Sequence, residues 1–284
     1  MSRHFDAEDV AMTMDNWLDH FSLAGIFGLS MGLVLIAVGI GIGLGSMFKA
    51  GSTVDRTSPG AVIGATLGFL AFMLAFTFNM ASNRFDERKH LLVDEMSAIG
   101  TTFLRTDLLS EPYSAHAKTL LREYVDVRVS IVKDPRTLFK SIARSDTIQN
   151  ELWTDAVKMS SSPDVRPYAR LYVQSLNDMI DLQGKRVAAA LYYRIPGPIW
   201  LGLFVITVIA MIAVGYQFGQ TSNRHAIINL ILAAAFSSVI LLIADLDRES
   251  QGYIRVNQQP LFDLQQQLAP AKQGVQQNAL PPVF

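Results

Sequence analysis

From Pro59 to Asn83 the chain carries no charged residue, and with no helix breaker it then enters the string Arg84-Phe85-Asp86-Glu87-Arg88-Lys89. A helix needs about 20 predominantly apolar residues to cross a bilayer, and this run exceeds that length. One helix is therefore expected to pass from lipid directly into water. Ser58 followed by Pro59 is a start signal, because Ser can cap open amides while Pro occupies a first-turn position that needs no donor. Phe69, Phe72, Phe76 and Phe78 dominate the run.

Three further apolar segments read the same way, from about Phe21 to Phe48, Pro198 to Phe218 and Ala226 to Ala244. None shows the ten-residue alternation of a membrane barrel, so helices are the structure that satisfies their backbone in lipid. The first is too long for a secretory signal peptide, follows an acidic leader and lacks a small-residue cleavage site. Four crossings place both termini and the long middle segment on one side. Arg84, Arg88, Lys89, Lys185, Arg186, Arg194, Arg248 and Arg255 flank the membrane there, against Lys49, Arg56 and Arg224 in the two short loops. The positive-inside bias makes that shared side cytoplasmic. The expected organisation is a leader over 1–20, crossings one and two over 21–83, a cytoplasmic helical domain over 84–197, crossings three and four over 198–244, and a cytoplasmic segment over 245–284 whose Gln- and Pro-rich end beyond about Pro270 is disordered.

The middle segment is polar and helical throughout. Ala117, Leu120, Tyr124, Val127 and Ile131 follow a 3-4-3-4 spacing, and Val165, Tyr172, Leu176 and Met179 form the stripe of a helix that Ser162 and Pro163 could start. Pro135 and Pro163 bracket another helix, and Pro196 and Pro198 close the segment before the membrane is re-entered. Ordinary core packing accounts for these stripes.

Chemistry is sparse. No segment forms a basic stripe, which argues against nucleic acid. The absence of cysteine excludes disulfides, thiolate catalysis and Cys-ligated metals. There is no phosphate-cradling glycine loop, no zinc-binding His-Glu-x-x-His, and His4, His20, His90, His116 and His225 lack ligand spacing. Asp245-Leu246-Asp247-Arg248-Glu249 opens like a calcium loop, but Ser250 stands where the turn needs Gly and Val256 where the bidentate Glu belongs. A solvated helix end is the expected reading. Nothing points to an enzyme, a metal or a cofactor.

Within the membrane, Gly28/Gly32 and Gly41/Gly45 of the first crossing are small-xxx-small pairs that let helices approach closely. No crossing holds a charge, which argues against a proton relay or voltage sensor. On the second crossing, Ala65, Phe69, Phe72, Phe76, Asn79 and Asn83 share one helical face. Two readings stand. The face is a lipid-facing or bundle-core stripe, or it is a pore constriction in which Phe ring edges attract an anion and carboxamides replace lost water.

The run Phe76-Thr77-Phe78-Asn79-Met80-Ala81-Ser82-Asn83-Arg84-Phe85-Asp86-Glu87-Arg88-Lys89 resembles the bestrophin motif in which a pore-lining helix ends in Phe, then Asn/Ala/Ser, then Arg and an aromatic. Asp94-Glu95-Met96-Ser97-Ala98-Ile99-Gly100-Thr101-Thr102-Phe103-Leu104-Arg105-Thr106-Asp107-Leu108-Leu109 is similar to the signature of the bacterial bestrophin-like domain family. So are Asn177, Asp181, Arg186 with Ile195-Pro196, and Leu246-Asp247-Arg248 with Gly252-Tyr253-Ile254 and Pro260-Leu261. Bestrophins are pentameric anion channels with four crossings, a helical cytoplasmic vestibule and a neck of three apolar residues at i, i+4 and i+8 of the second crossing. By that resemblance the neck falls on Gly68, Phe72 and Phe76, with Phe69 able to rotate in where Gly68 departs from the bulky pattern. Asn79 and Asn83 become its polar lining, and Arg84, Asp86, Arg88, Glu95, Arg105, Asp107, Asn177, Asp181, Arg186 and Asp247 structural motif positions. The tryptophan pair after the motif Arg and the acidic calcium clasp of animal bestrophins are absent, so calcium gating is not implied.

The expected fold is therefore all-α, a four-helix membrane protein with a helical cytoplasmic bundle, oligomeric around a central pore in a bacterial inner membrane. The resemblance favours a homopentamer in membrane lipid that passes small anions such as chloride or bicarbonate. A non-conducting scaffold and a cation-conducting relative are the alternatives, because an apolar neck bars ions by dewetting and does not fix their sign. Residues 84–197 hold 17 Lys and Arg against 15 Asp and Glu, which gives no steering field either way.

Overall fold

A computed structural model describes residues 21–48, 59–160, 169–220, 226–248 and 252–270. Among them the regular structure is helical throughout: α1 (Leu23–Met47), α2 (Pro59–Arg105), α3 (Tyr113–Lys133), α4 (Leu138–Ser160), α5 (Ala169–Leu191), α6 (Gly197–Gln220), α7 (Ala226–Asp247) and α8 (Gln259–Leu268). Short 3-10 turns precede α3 and α4. Four helices are long and apolar enough to cross a membrane, over Leu23–Met47, Gly60–Leu108, Gly197–Gln220 and Ile227–Asp247. The expected leader, the loops holding Lys49, Arg56 and Arg224, the Ser162–Pro163 start signal with Val165, and the tail beyond Pro270 lie outside the described residues.

The helix expected to continue from the charge-free run into the charged string without a break does so: α2 runs unbroken for 47 residues. At about 1.5 Å per residue it is about 70 Å long, more than twice the roughly 30 Å of a bilayer's hydrocarbon core. The chain divides into two units along it, residues 1–89 with 186–256, and residues 90–185 with 257–284.

The first unit holds α1, α6, α7 and α2 as far as Lys89. Ser22 starts α1, its Oγ accepting the Gly25 amide at 3.0 Å. The core takes Val34, Ala37 and Val38 from α1, Leu70, Leu74 and Ala81 from α2, Trp200, Leu203 and Met211 from α6, and Ala233, Ile240 and Ile243 from α7. Helices in lipid gain little from apolar burial as such and associate through close van der Waals approach. That approach is visible between α1 and α6: a Cβ on Gly41 or Gly45 would collide with the α6 backbone at Ile212 and Tyr216, and one on Gly215 or Gly219 with the α1 backbone at Val38 and Ile42. Of the two glycine pairs expected to mediate packing, only Gly41/Gly45 does so within the chain. Gly28 and Gly32 face open space.

The second unit holds α3, α4, α5, α8 and α2 from His90. Tyr172, Leu176 and Met179 of α5 are fully buried, as their stripe implies. On α3 the inward face departs from the expected one. Ala117, Leu120 and Tyr124 are buried, but Val127 and Ile131 are only half-buried while Val125, Arg128 and Val129 turn inside. The reason is electrostatic: Glu95 is wholly buried here, and Arg128 meets it at 3.2 Å. Helix α8 falls within the C-terminal segment, for which no helix was expected. It buries Leu261, Leu264 and Leu268, with Leu264 close to Gly100 of α2. Arg122 Nε donates to the Leu268 carbonyl at 2.6 Å, which caps the end of α8.

Candidate functional site

Two faces of α2 divide the work within the first unit. Ile63, Leu70, Leu74, Thr77 and Ala81 are buried, and the Thr77 hydroxyl is satisfied by the Met73 carbonyl at 2.7 Å. At 3.6 residues per turn, Ala65, Gly68, Phe69, Phe72, Phe76, Asn79 and Asn83 lie on the opposite side, and all are exposed. Phe72 is 62% exposed, against 51% for Phe69 and 50% for Phe76. A Cβ at Gly68 would meet nothing within 4 Å. Phe78, 37% exposed, projects from a different side of the helix. Neither Asn79 nor Asn83 forms a hydrogen bond among the described residues. Such a face has no chemistry in a single copy. It lies against lipid, another copy or water, and bare carboxamides favour the last two.

The string Asp245-Leu246-Asp247-Arg248 departs most from expectation. It is not a solvated helix end, because Asp245, Asp247 and Arg248 are all buried. Asp245 accepts the amides of Tyr253 at 2.8 Å and Ile254 at 3.1 Å, and its close approach leaves no room for a side chain at Gly252. Asp247 accepts the Ile195 amide at 3.0 Å and lies 3.9 Å from Arg84 Nη1. Arg88 donates to the Leu246 carbonyl, and Arg248 to the Phe21 carbonyl, both at 2.6 Å. These acids are spent on backbone amides and arginines rather than turned toward a cation. Among the described residues no three His, Asp or Glu side chains converge as a metal-ligand set. The alternating carboxylates were legible in the sequence, but their partners lie 50 or more positions away or in a turn with no pattern of its own.

In the second unit four helices meet in one buried polar layer. Glu95 of α2 accepts from Tyr124 at 2.9 Å and from Arg128 at 3.2 Å. Tyr124 also lies 3.2 Å from Gln183 Oε1, which accepts from Gln149 as well, and Gln183 Nε2 donates to Asp146 at 3.0 Å. Asp146 is itself exposed at the edge of the layer, and partial desolvation there raises its carboxyl above the ordinary range, against the opposing pull of Gln183 and Arg128. Tyr124, Arg128, Gln149 and Gln183 were not singled out as a group from the sequence. The one available signal was Arg128 adjoining an apolar stripe.

The remaining motif positions scatter. Arg105 donates to the Leu171 carbonyl at 2.6 Å, and Asp107 pairs with Lys118 at 2.5 Å. Asp86 and Asp181 are exposed, and Arg186 is half-buried. Asn177 lines an open cavity with Met159, Arg170, Val173 and Gln174.

The family model described as the bestrophin-like domain matches residues 52–261, about three quarters of the 284-residue chain. No curated protein and no solved structure matches it. The domain and the four apolar helices together fit a membrane protein of channel type.

Proposed function

The chain belongs to the bestrophin-like domain family, and on that premise we propose that several copies surround an axis and pass small anions between their α2 helices. The carrying observation is the outward face of α2, which turns Phe72, Phe76 and two carboxamides without hydrogen-bond partners among the described residues away from the core of its own unit. One helix cannot enclose a conduit, so the face is complete only when copies meet around a closed ring. Five subunits, a bacterial inner membrane, and cytoplasmic termini with a cytoplasmic second unit follow from the family resemblance and the distribution of Lys and Arg. Phe72 and Phe76 form two apolar rings, the thinner Gly68 level widens the far end, and Asn79 and Asn83 rehydrate the ion at the polar end. Positive ring edges favour an anion there, while dewetting sets the barrier.

The test is flux through liposomes containing the purified protein, with chloride and potassium compared. Phe72→Ala and Phe76→Ala should widen and wet the neck, raising flux and relaxing selectivity, while Phe78→Ala behaves as wild type. Unchanged or reduced flux in the first two, matching Phe78→Ala, removes them as the neck. Potassium passing in preference to chloride would make the protein a cation-conducting relative, and no flux from a well-formed oligomer would make it a membrane scaffold.

A further inference from the structure

We infer that Asp247, with Arg84 and Arg88, sets the rotation of α2 about its own axis and so determines which of its residues face the conduit; this rests on the axial reading above. Arg84 and Arg88 are i, i+4 neighbours, and at helical spacing they continue the side of α2 that buries Leu70, Leu74 and Ala81. Their partners are therefore met by the side opposite Phe72 and Asn83. The apolar contacts along that side are made by Leu70, Leu74 and Ala81, and dispersion between such groups is weak per atom pair and non-directional. It holds the helix against its neighbours but sets its angle less sharply than an aligned hydrogen bond does. Charge-assisted hydrogen bonds do fix an angle, because they lose strength steeply when bent.

One such bond, from Arg88, reaches a fixed point of the backbone, and the Arg84–Asp247 ion pair reaches a carboxylate that the backbone holds in place. Arg88 takes the Leu246 carbonyl at 2.6 Å, one of the last carbonyls of α7 that the helix cannot satisfy itself, where a cation also suits the helix dipole. Asp247 is held by the Ile195 amide immediately before α6 and presents its Oδ1 to Arg84 Nη1, an atom that is buried and makes no hydrogen bond of its own. Arg194 lies in the field of the same carboxylate. Helices α2, α6 and α7 are thus tied together at the level where the charge-free part of α2 ends. Asp247 is a positioning residue in this scheme, since it acts on the conduit only through α2.

The native chain has no cysteine, so single thiols report the angle directly. Thiol-labelling rates of Phe72→Cys, on the outward side, and Leu74→Cys, on the packing side, are compared in the reconstituted oligomer with and without Asp247→Asn or Arg84→Gln. Each change should lower the ratio of the two rates, lower the chloride-to-potassium flux ratio and leave the ring assembled, and the double variant should be no worse than either single one. An unchanged labelling ratio in intact rings overturns the inference, as do effects that multiply in the double variant. If Asp247→Asn fails to assemble, Arg88→Gln removes the cap on Leu246 together with the charge that Arg88 presents to Asp247 and must lower the same ratio. Should the wild-type ring pass neither ion, the channel reading falls, and the labelling ratio still decides whether these residues set the angle of α2.

Discussion

Replacing Glu95 by Gln keeps the shape of the side chain and removes its charge, which makes it a clean perturbation of the second unit's polar layer. Glu95 is fully enclosed and the Arg128 side chain is 6% exposed. Removing one partner of a buried ion pair costs about 3–5 kcal/mol, because the other charge stays in a medium that solvates it poorly. The lower end applies here, since Asp146 also bears on Arg128. About 3 kcal/mol corresponds to roughly a hundredfold rise in local opening. Hydrogen exchange on the full chain in detergent should report it at the amides of α3 around Tyr124 and Arg128. Arg128→Met should cost a similar amount by stranding Glu95. The double variant Glu95→Gln/Arg128→Met should cost less than the sum, as expected for groups sharing one interaction. Tyr124→Phe, which loses a neutral donor, should cost only about 0.5–1.5 kcal/mol. Protection within a factor of a few of wild type in Glu95→Gln, or strict additivity in the double variant, would refute the layer as an electrostatic unit.

Two further outcomes follow from other parts of the molecule. Gly41→Val should destabilise the α1–α6 contact by about 1–3 kcal/mol or more through overpacking, while Gly28→Ala, facing open space, should be neutral or slightly stabilising; thermal unfolding in detergent separates them. The folded-state pKa of Asp146 lies above its unfolded value, so its contribution is present at low pH and is lost as pH rises through the folded value. Asp146→Asn should therefore flatten the fall in thermal midpoint as pH increases upward from the ordinary carboxylate range, and an unaltered pH profile would count against the partial desolvation of that carboxyl.

The membrane helices were legible because a bilayer imposes a length and forbids charge, and both constraints appear in consecutive residues. Pro59 to Asn83 is the plainest case. The Phe and Asn stripe could be placed on one face from spacing alone, but spacing is blind to which side a helix turns inward, and that came from the contacts of Leu70, Leu74 and Ala81. Arg128 went unread because an inward arginine breaks the apolar period unless its carboxylate is known to stand opposite, and Glu95 lies 33 positions away on another helix. Asp245 and Asp247 misled for a related reason. Alternating carboxylates look the same whether they await a cation or already hold amides from elsewhere in the chain. Helix α8 is only ten residues long, and its three buried leucines are too few to stand out from a Gln-rich background.

The glycine seam makes α1 and α6 resist sliding past one another. Shifting either helix by one residue, about 1.5 Å, moves Gly41, Gly45, Gly215 or Gly219 away from the facing backbone and brings a residue with a side chain there, where a Cβ has no room. The pair is therefore locked in register along its length, and movement within the first unit has to carry both helices together.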